Sequence, residues 1–187
     1  MKNTNKRGFT LVEMLVVVII IGILASIALP AYQKSVEQSR AAQIWPLLKS
    51  MANAAQVYSM SRGNFPTTFD SLSVLPPSWS GTEKFSTWSY ITDTRSDGEW
   101  SLQMYPNSGY GNLVIYAGRL KGKYKGAGFR IQIKKGTSPL TDEMVITCVE
   151  RENGGLKFEE PAGAYCVDIF DGKPADYSDS LRYYYLP

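Results

Sequence analysis

The chain has 187 residues, 20 basic and 17 acidic side chains, two cysteines and no histidine. The lack of histidine excludes a histidine-based catalytic triad and a histidine zinc site, and two cysteines are too few for a four-thiolate metal centre. No phosphate-cradling glycine-rich motif is present, so the sequence points to no catalytic constellation, no metal and no cofactor.

The first eight residues carry Lys2, Lys6 and Arg7, no acid, and end at Gly8. Residues 9–29 follow as 21 positions whose only ionisable member is Glu13. At 1.5 Å per residue, a helix over them is roughly 31 Å long, enough to cross a bilayer core. An ordinary secretory signal has a shorter apolar core, with its small-residue cleavage site after that core. Here the glycine precedes the run. A plain membrane anchor accounts for the length but gives no reason for Glu13, since a carboxylate in such a segment is expensive unless it reaches the membrane edge.

Residues 7–13, Arg-Gly-Phe-Thr-Leu-Val-Glu, with the apolar run that lasts to Pro30, resemble the N-terminus of type IV pilins and of type II secretion pseudopilins, the prepilin-like proteins. The resemblance implies that a prepilin peptidase cuts between Gly8 and Phe9 and that Phe9 is then N-methylated. It also implies that Glu13 neutralises the new Phe9 amine of an adjacent subunit, and that Gly22 and Pro30 loosen or kink the helix. The implied function is a structural subunit that polymerises through its N-terminal helix into a type IV pilus-like filament. The implied partners are identical or related pilin subunits, the prepilin peptidase, an inner-membrane assembly platform with separate ATPase motors, and lipid before assembly. The implied course is from inner membrane to extracellular filament, for twitching, adhesion, DNA uptake or secretion.

The basic leader stays cytoplasmic under the positive-inside rule, which places the rest of the chain beyond the membrane. Without Lys2, Lys6 and Arg7 the chain has equal numbers of basic and acidic residues, so its net charge of +3 belongs to targeting. Both cysteines, Cys148 and Cys166, fall in the exported part, which suits a disulfide worth about 3 kcal/mol by loop entropy; two buried free thiols are the alternative. In pilins the C-terminal region is closed by a cysteine pair, and these two match it in order and placement.

Beyond Pro30 the helix is expected to continue. Ile44, Leu47, Leu48, Met51, Ala55 and Tyr58 recur at spacings of three and four, an apolar face that packs on the protein's own core. Pro46 implies a second kink or a break between two helices. Gly63, followed by Asn64-Phe65-Pro66, is the expected stop. Five β segments are predicted after it, over residues 87–92, 99–105, 113–120, 128–134 and 144–150, rich in aromatic and β-branched residues and separated by turn residues. The expected fold class is α+β, pilin-like: a long N-terminal helix, half transmembrane and half amphipathic, packed on a small antiparallel sheet. The expected organisation is a leader over 1–8, a transmembrane and assembly helix over 9–30, its amphipathic continuation over 31–62 and a β-rich head with the disulfide region over 63–187. The tyrosines at 183–185 either pack on the sheet or face solvent.

Charge is uneven in the head. Residues 101–141 contain seven basic side chains and no acid, and residues 142–179 contain ten acids against three basic side chains. Lys121, Lys123, Lys125 and Arg130 are the candidates for an anionic surface such as DNA. The favoured reading has these cations keeping a strand soluble and pairing with acids in the same or a neighbouring subunit. Asp168, Asp171, Asp176 and Asp179 lack the spacing of a calcium loop and read as a solvated acidic segment. Three rival functions accompany the filament reading. They are a pseudopilin of type II secretion, a minor pilin, and an anchored module that binds DNA or a surface. Pseudopilins typically carry a calcium loop and lack the cysteine pair, while minor pilins often lose the acidic residue that Glu13 retains.

Overall fold

Helix α1 spans Leu11–Arg62 in the computed structural model, which describes residues 8–72, 74, 79–107, 111–136, 143–178 and 180–187, with backbone alone at 176 and 177. Lys2, Lys6 and Arg7 of the leader, Asp179 and the side chain of Asp176 lie outside the described residues. The chain divides into two compact units, Met1–Ser39 and Arg40–Pro187.

In the first unit, Thr10 and Glu13 start the helix. Thr10 Oγ1 accepts from the Glu13 amide at 3.3 Å, and Glu13 Oε2 accepts from the Thr10 amide at 2.7 Å. This reciprocal pair is a capping box, which satisfies donors that the first helical turn leaves orphaned. Residues 11–29 are exposed at every position although almost all are apolar. A helix apolar on all sides belongs in apolar surroundings. The helix runs unbroken through Pro30 and Pro46, so the break at Pro46 that the sequence allowed does not occur.

In the second unit the helix buries Ala41, Ile44, Leu48, Met51, Ala52 and Ala55 against the sheet. The expected apolar face is therefore used internally from Ile44 to Ala55, with alanines allowing close approach, whereas Tyr58 is half-buried beside Arg62. Trp45 adds an edge-to-face contact on Phe129, centroids 5.6 Å apart. The helix stops at Gly63, whose φ of 78° suits glycine and whose amide donates to the Ser59 carbonyl at 2.8 Å. Lys135 Nζ then donates to the Gly63 carbonyl at 2.8 Å.

Seven antiparallel strands follow: β1 Asp93–Ser96, β2 Trp100–Asn107, β3 Asn112–Arg119, β4 Ala127–Lys134, β5 Glu143–Arg151, β6 Lys173–Ser178 and β7 Leu181–Tyr185. Their order across the sheet is β1-β2-β3-β4-β5-β7-β6. Four of the five expected segments coincide with β2 to β5. The segment expected at 87–92 is not a strand; a turn closes there, with the Ile91 amide donating to the Trp88 carbonyl at 3.2 Å, and the strand lies at β1 instead. The β6–β7 hairpin was not expected. β6 is an edge strand containing Pro174, with a register shift between Pro174 and Tyr177, and an edge tolerates the missing donor.

The helix-side core contains Leu102, Met104, Leu113, Ile115, Ala117, Phe129 and Ile131. The other sheet face has its own cluster of Phe85, Val114, Tyr116, Val149 and Leu181, flanked by Trp88, Ile91, Tyr105 and Tyr183. Phe85 fits there because Gly118 and Gly128 are cross-strand partners and leave the sheet bare; a Cβ at Gly118 would lie 2.0 Å from the Phe85 ring. Of the three C-terminal tyrosines, Tyr184 is buried in the helix-side core, Tyr183 flanks the other cluster and Tyr185 is 51% exposed.

Candidate functional site: an uncovered apolar helix and the surfaces of the head

The start of α1 combines an apolar surface with one carboxylate. Phe9 is 76% exposed, and its neighbours Leu11 and Val12 are also exposed. Glu13 Oε2 accepts from both the amide and the hydroxyl of Thr10, at 2.7 and 2.8 Å. Sequence reasoning singled out Glu13 but missed Thr10, although the Thr-x-x-Glu spacing before an apolar run signals a capping box. Gly22 lies in open space, with no atom within 4 Å of a Cβ built on it, and Pro30 sits inside the continuous helix. The helix is long and apolar enough to cross a membrane.

In the head, Lys121 and Lys123 are exposed on the turn between β3 and β4, Lys123 with its ammonium 5.3 Å from the Tyr124 ring centroid. Lys125 pairs with Glu159 at 3.0 Å. Arg130 lies within β4, its guanidinium 5.0 Å from the Tyr183 ring centroid and hydrogen-bonded to Gln132. Lys121, Lys123 and Lys125 thus share the turn between β3 and β4, whereas Arg130 lies within β4. Lys134 pairs with Glu143 at 3.7 Å, and Arg119 is buried over Trp100 and 3.5 Å from Glu99. Asp176 lies in β6, not in a loop. No metal-ligating group of three or more acids, cysteines or histidines occurs among the described residues.

Arg151 and Glu150 are buried charges that the sequence reading missed. Arg151 is fully buried, with its guanidinium 4.5 Å from the Phe85 centroid and 4.3 Å from the Trp88 centroid. Its Nη1 donates to the carbonyls of Asn153 and Gly154 at 3.0 and 3.3 Å. Burial lowers its pKa to about 10, and burial raises that of the nearby Tyr90 to about 12 and that of Tyr116 further. Glu150, also fully buried, accepts four hydrogen bonds from the segment around Cys166 and from Tyr184. Cys148 and Cys166 are joined in a disulfide, Cα atoms 5.6 Å apart.

A family described as the prokaryotic N-terminal methylation motif matches residues 3–29. Among curated proteins, the chain is 36% identical over 75 residues to the type IV major pilin protein PilE1 of Neisseria gonorrhoeae, 40% of this chain and 46% of that protein. It is 43% identical over 61 residues to the fimbrial protein EcpC of Eikenella corrodens, covering 33% and 40% of the two chains. It is 31% identical over 75 residues to the type II secretion system core protein G of Klebsiella michiganensis, covering 40% and 53%. The chain thus spans about half or less of the length of these relatives. No solved structure matches it. In its methylation motif, its N-terminal relatives and its long helix packed on an antiparallel sheet, the chain is similar to type IV pilins and to a type II secretion pseudopilin.

Proposed function

We propose that this protein is a structural, non-catalytic subunit that polymerises through its N-terminal helix into a type IV pilus-like filament. The observation that carries the proposal is the helix over residues 11–29, apolar and exposed at nearly every position. Such a surface is stable only in lipid or against other helices. It accounts for both halves of the life cycle: residence in the inner membrane as a precursor, and a dry fibre core after assembly.

The leader over residues 1–8 is removed between Gly8 and Phe9 by the prepilin peptidase, and the new Phe9 amine is methylated. Glu13 then neutralises the amine of a neighbouring subunit. In the isolated chain one oxygen of its carboxylate serves the Thr10 cap, leaving Oε1 for a second donor. A buried ion pair is favourable only when both partners are present, so the pair sets the axial register of an incoming subunit. Residues 31–62 carry the helix into the head over 63–187. Force comes from an assembly platform with separate ATPases. The likeness to a type II secretion protein supports a second reading, a pseudopilin.

The test is to shear cells, collect extracellular filaments and measure the intact mass of their main protein. A dominant species beginning at methylated Phe9, two hydrogens light for the disulfide, is the expected result. Processed protein that stays in the membrane fraction, with filaments lacking it, supports the pseudopilin reading. Uncleaved protein in both fractions overturns the proposal.

A further inference from the structure

Strand β5 alternates its side chains between two faces, so Cys148 and Glu150, two residues apart, point the same way. The segment that follows the strand winds back over both. Glu150 Oε2 accepts from the Gly163 amide at 2.7 Å and from the Tyr184 hydroxyl at 3.1 Å. Its Oε1 accepts from the amides of Tyr165 and Cys166 at 3.0 and 3.1 Å. Three main-chain N–H groups converging on one carboxylate form an anion nest. The anion here is supplied from within the chain. The turn is closed further by the Val167 amide on the Gly163 carbonyl and the Gly172 amide on the Cys166 carbonyl, at 2.8 and 2.9 Å. Gly163, with a φ of 88°, takes a conformation that a side chain would oppose.

One of the residues held by Glu150 is Cys166 itself, disulfide-bonded to Cys148 on the same strand. We propose that Glu150 is the positioning residue for this disulfide. The carboxylate folds residues 163–166 onto β5 while both thiols are still reduced and sets Cys166 beside Cys148. The disulfide then locks a turn that already exists.

The reaction is ordinary thiol–disulfide exchange. One cysteine thiolate attacks a sulfur of a disulfide oxidant such as glutathione disulfide, breaking its S–S bond and releasing one glutathione. The second cysteine thiolate attacks the mixed disulfide, forms the Cys148–Cys166 bond and releases the second glutathione. Two electrons pass from the cysteine pair to the oxidant, and the two thiol protons end on the released glutathiones. Pre-positioning favours the second exchange by raising the effective concentration of one thiol at the other.

The experiment equilibrates the full chain in detergent with reduced and oxidised glutathione and measures the ratio of disulfide to dithiol protein. Glu150→Gln keeps the shape but replaces a charged acceptor of several N–H groups by an amide; it is expected to lower the oxidation constant at least about tenfold. Glu152→Gln, one residue past the strand and paired with Arg182 rather than with the disulfide turn, is expected to leave it within about threefold. A contribution felt equally by the dithiol and disulfide forms cancels in this ratio, so the readout isolates positioning. A second measurement decides the matter should Glu150→Gln not fold. In the Cys148→Ser/Cys166→Ser chain, hydrogen exchange at the amides of positions 163, 165 and 166 is expected to stay slow. Equal oxidation constants for the wild-type and Glu150→Gln chains, or exchange at those amides as fast as in an unfolded chain, overturns the proposal.

Discussion

Replacing Phe129 by alanine tests whether the head is one cooperative core spanning helix, sheet and disulfide region. Phe129 is fully buried on the helix side of β4. Its ring lies 5.6 Å from Trp45 on the helix, 6.2 Å from Trp100 on β2, and 6.0 and 5.3 Å from Tyr165 and Phe170 in the turn closed by the disulfide. Truncating a buried phenylalanine costs about 3–5 kcal/mol, and aromatic pairs at these separations add about 0.5–1.5 kcal/mol each. Some relaxation of Tyr165 and Phe170 into the cavity offsets part of that, so the expected loss is about 4–5 kcal/mol. For a head of this size it corresponds to a drop in Tm of about 8–20 °C. The assay is thermal unfolding of the full chain in detergent, followed by tryptophan fluorescence. All four tryptophans lie in the Arg40–Pro187 unit, so the signal is blind to the apolar N-terminal part of the helix. Tyr185→Ala, at a half-exposed position, serves as the control and is expected to move stability by less than about 0.5 kcal/mol. A shift below about 3 °C for Phe129→Ala refutes the single-core reasoning.

Three further outcomes are expected. Glu13→Ala should leave processing intact, by precursor and mature band sizes, and abolish most sheared filament; wild-type filament yield defeats the assembly role. Gly118→Ala drives a methyl into the Phe85 ring and should cost about 1–3 kcal/mol, seen as a lower midpoint in denaturant; an unchanged midpoint contradicts the close packing of Phe85 on the sheet. Tyr90 and Tyr184 are pushed up to about 12 and Tyr116 further, by burial first and, for Tyr184, next by the charge of Glu150. The folded state holds these protons while unfolded tyrosines release theirs near 10, so their contribution is intact below pH 10 and drains away between about 10 and 12. Arg151, lowered by burial, acts in the opposite sense, but three tyrosines oppose one arginine. Alkaline titration followed by tyrosinate absorbance should therefore show a late group ionising together with loss of tryptophan signal. A single smooth titration of all 12 tyrosines near pH 10 argues against it.

The N-terminal half of the helix was legible because its physics is one-dimensional. Length, apolarity, the leading cations and one carboxylate are all read along the chain, and they do not depend on what the segment touches. The apolar face ending at Gly63 was legible for a similar reason, since a helix repeats its contacts every three to four residues. Strands β2 to β5 could be read because their turns are short and local. Where pairing or packing is remote, the sequence is ambiguous. Thr87-Trp88-Ser89-Tyr90-Ile91-Thr92 alternates as a strand should, yet Trp88 and Tyr90 are spent on covering the sheet, Trp88 lying over Arg151 and 6.1 Å from Tyr116. Strand β6 carries Lys, Pro and Asp, poor strand formers, and exists because β7 returns between it and β5. Glu150 and Arg151 are adjacent charges at a strand end, a pattern that reads as solvent-exposed. Tertiary structure alone sends one into a ring of amides and the other between two aromatic faces, because their partners come from segments distant in sequence. The length and apolar character of the N-terminal helix were thus set locally by the sequence. The head's second core, its C-terminal hairpin and the anchoring of its disulfide turn were decided only once distant segments met.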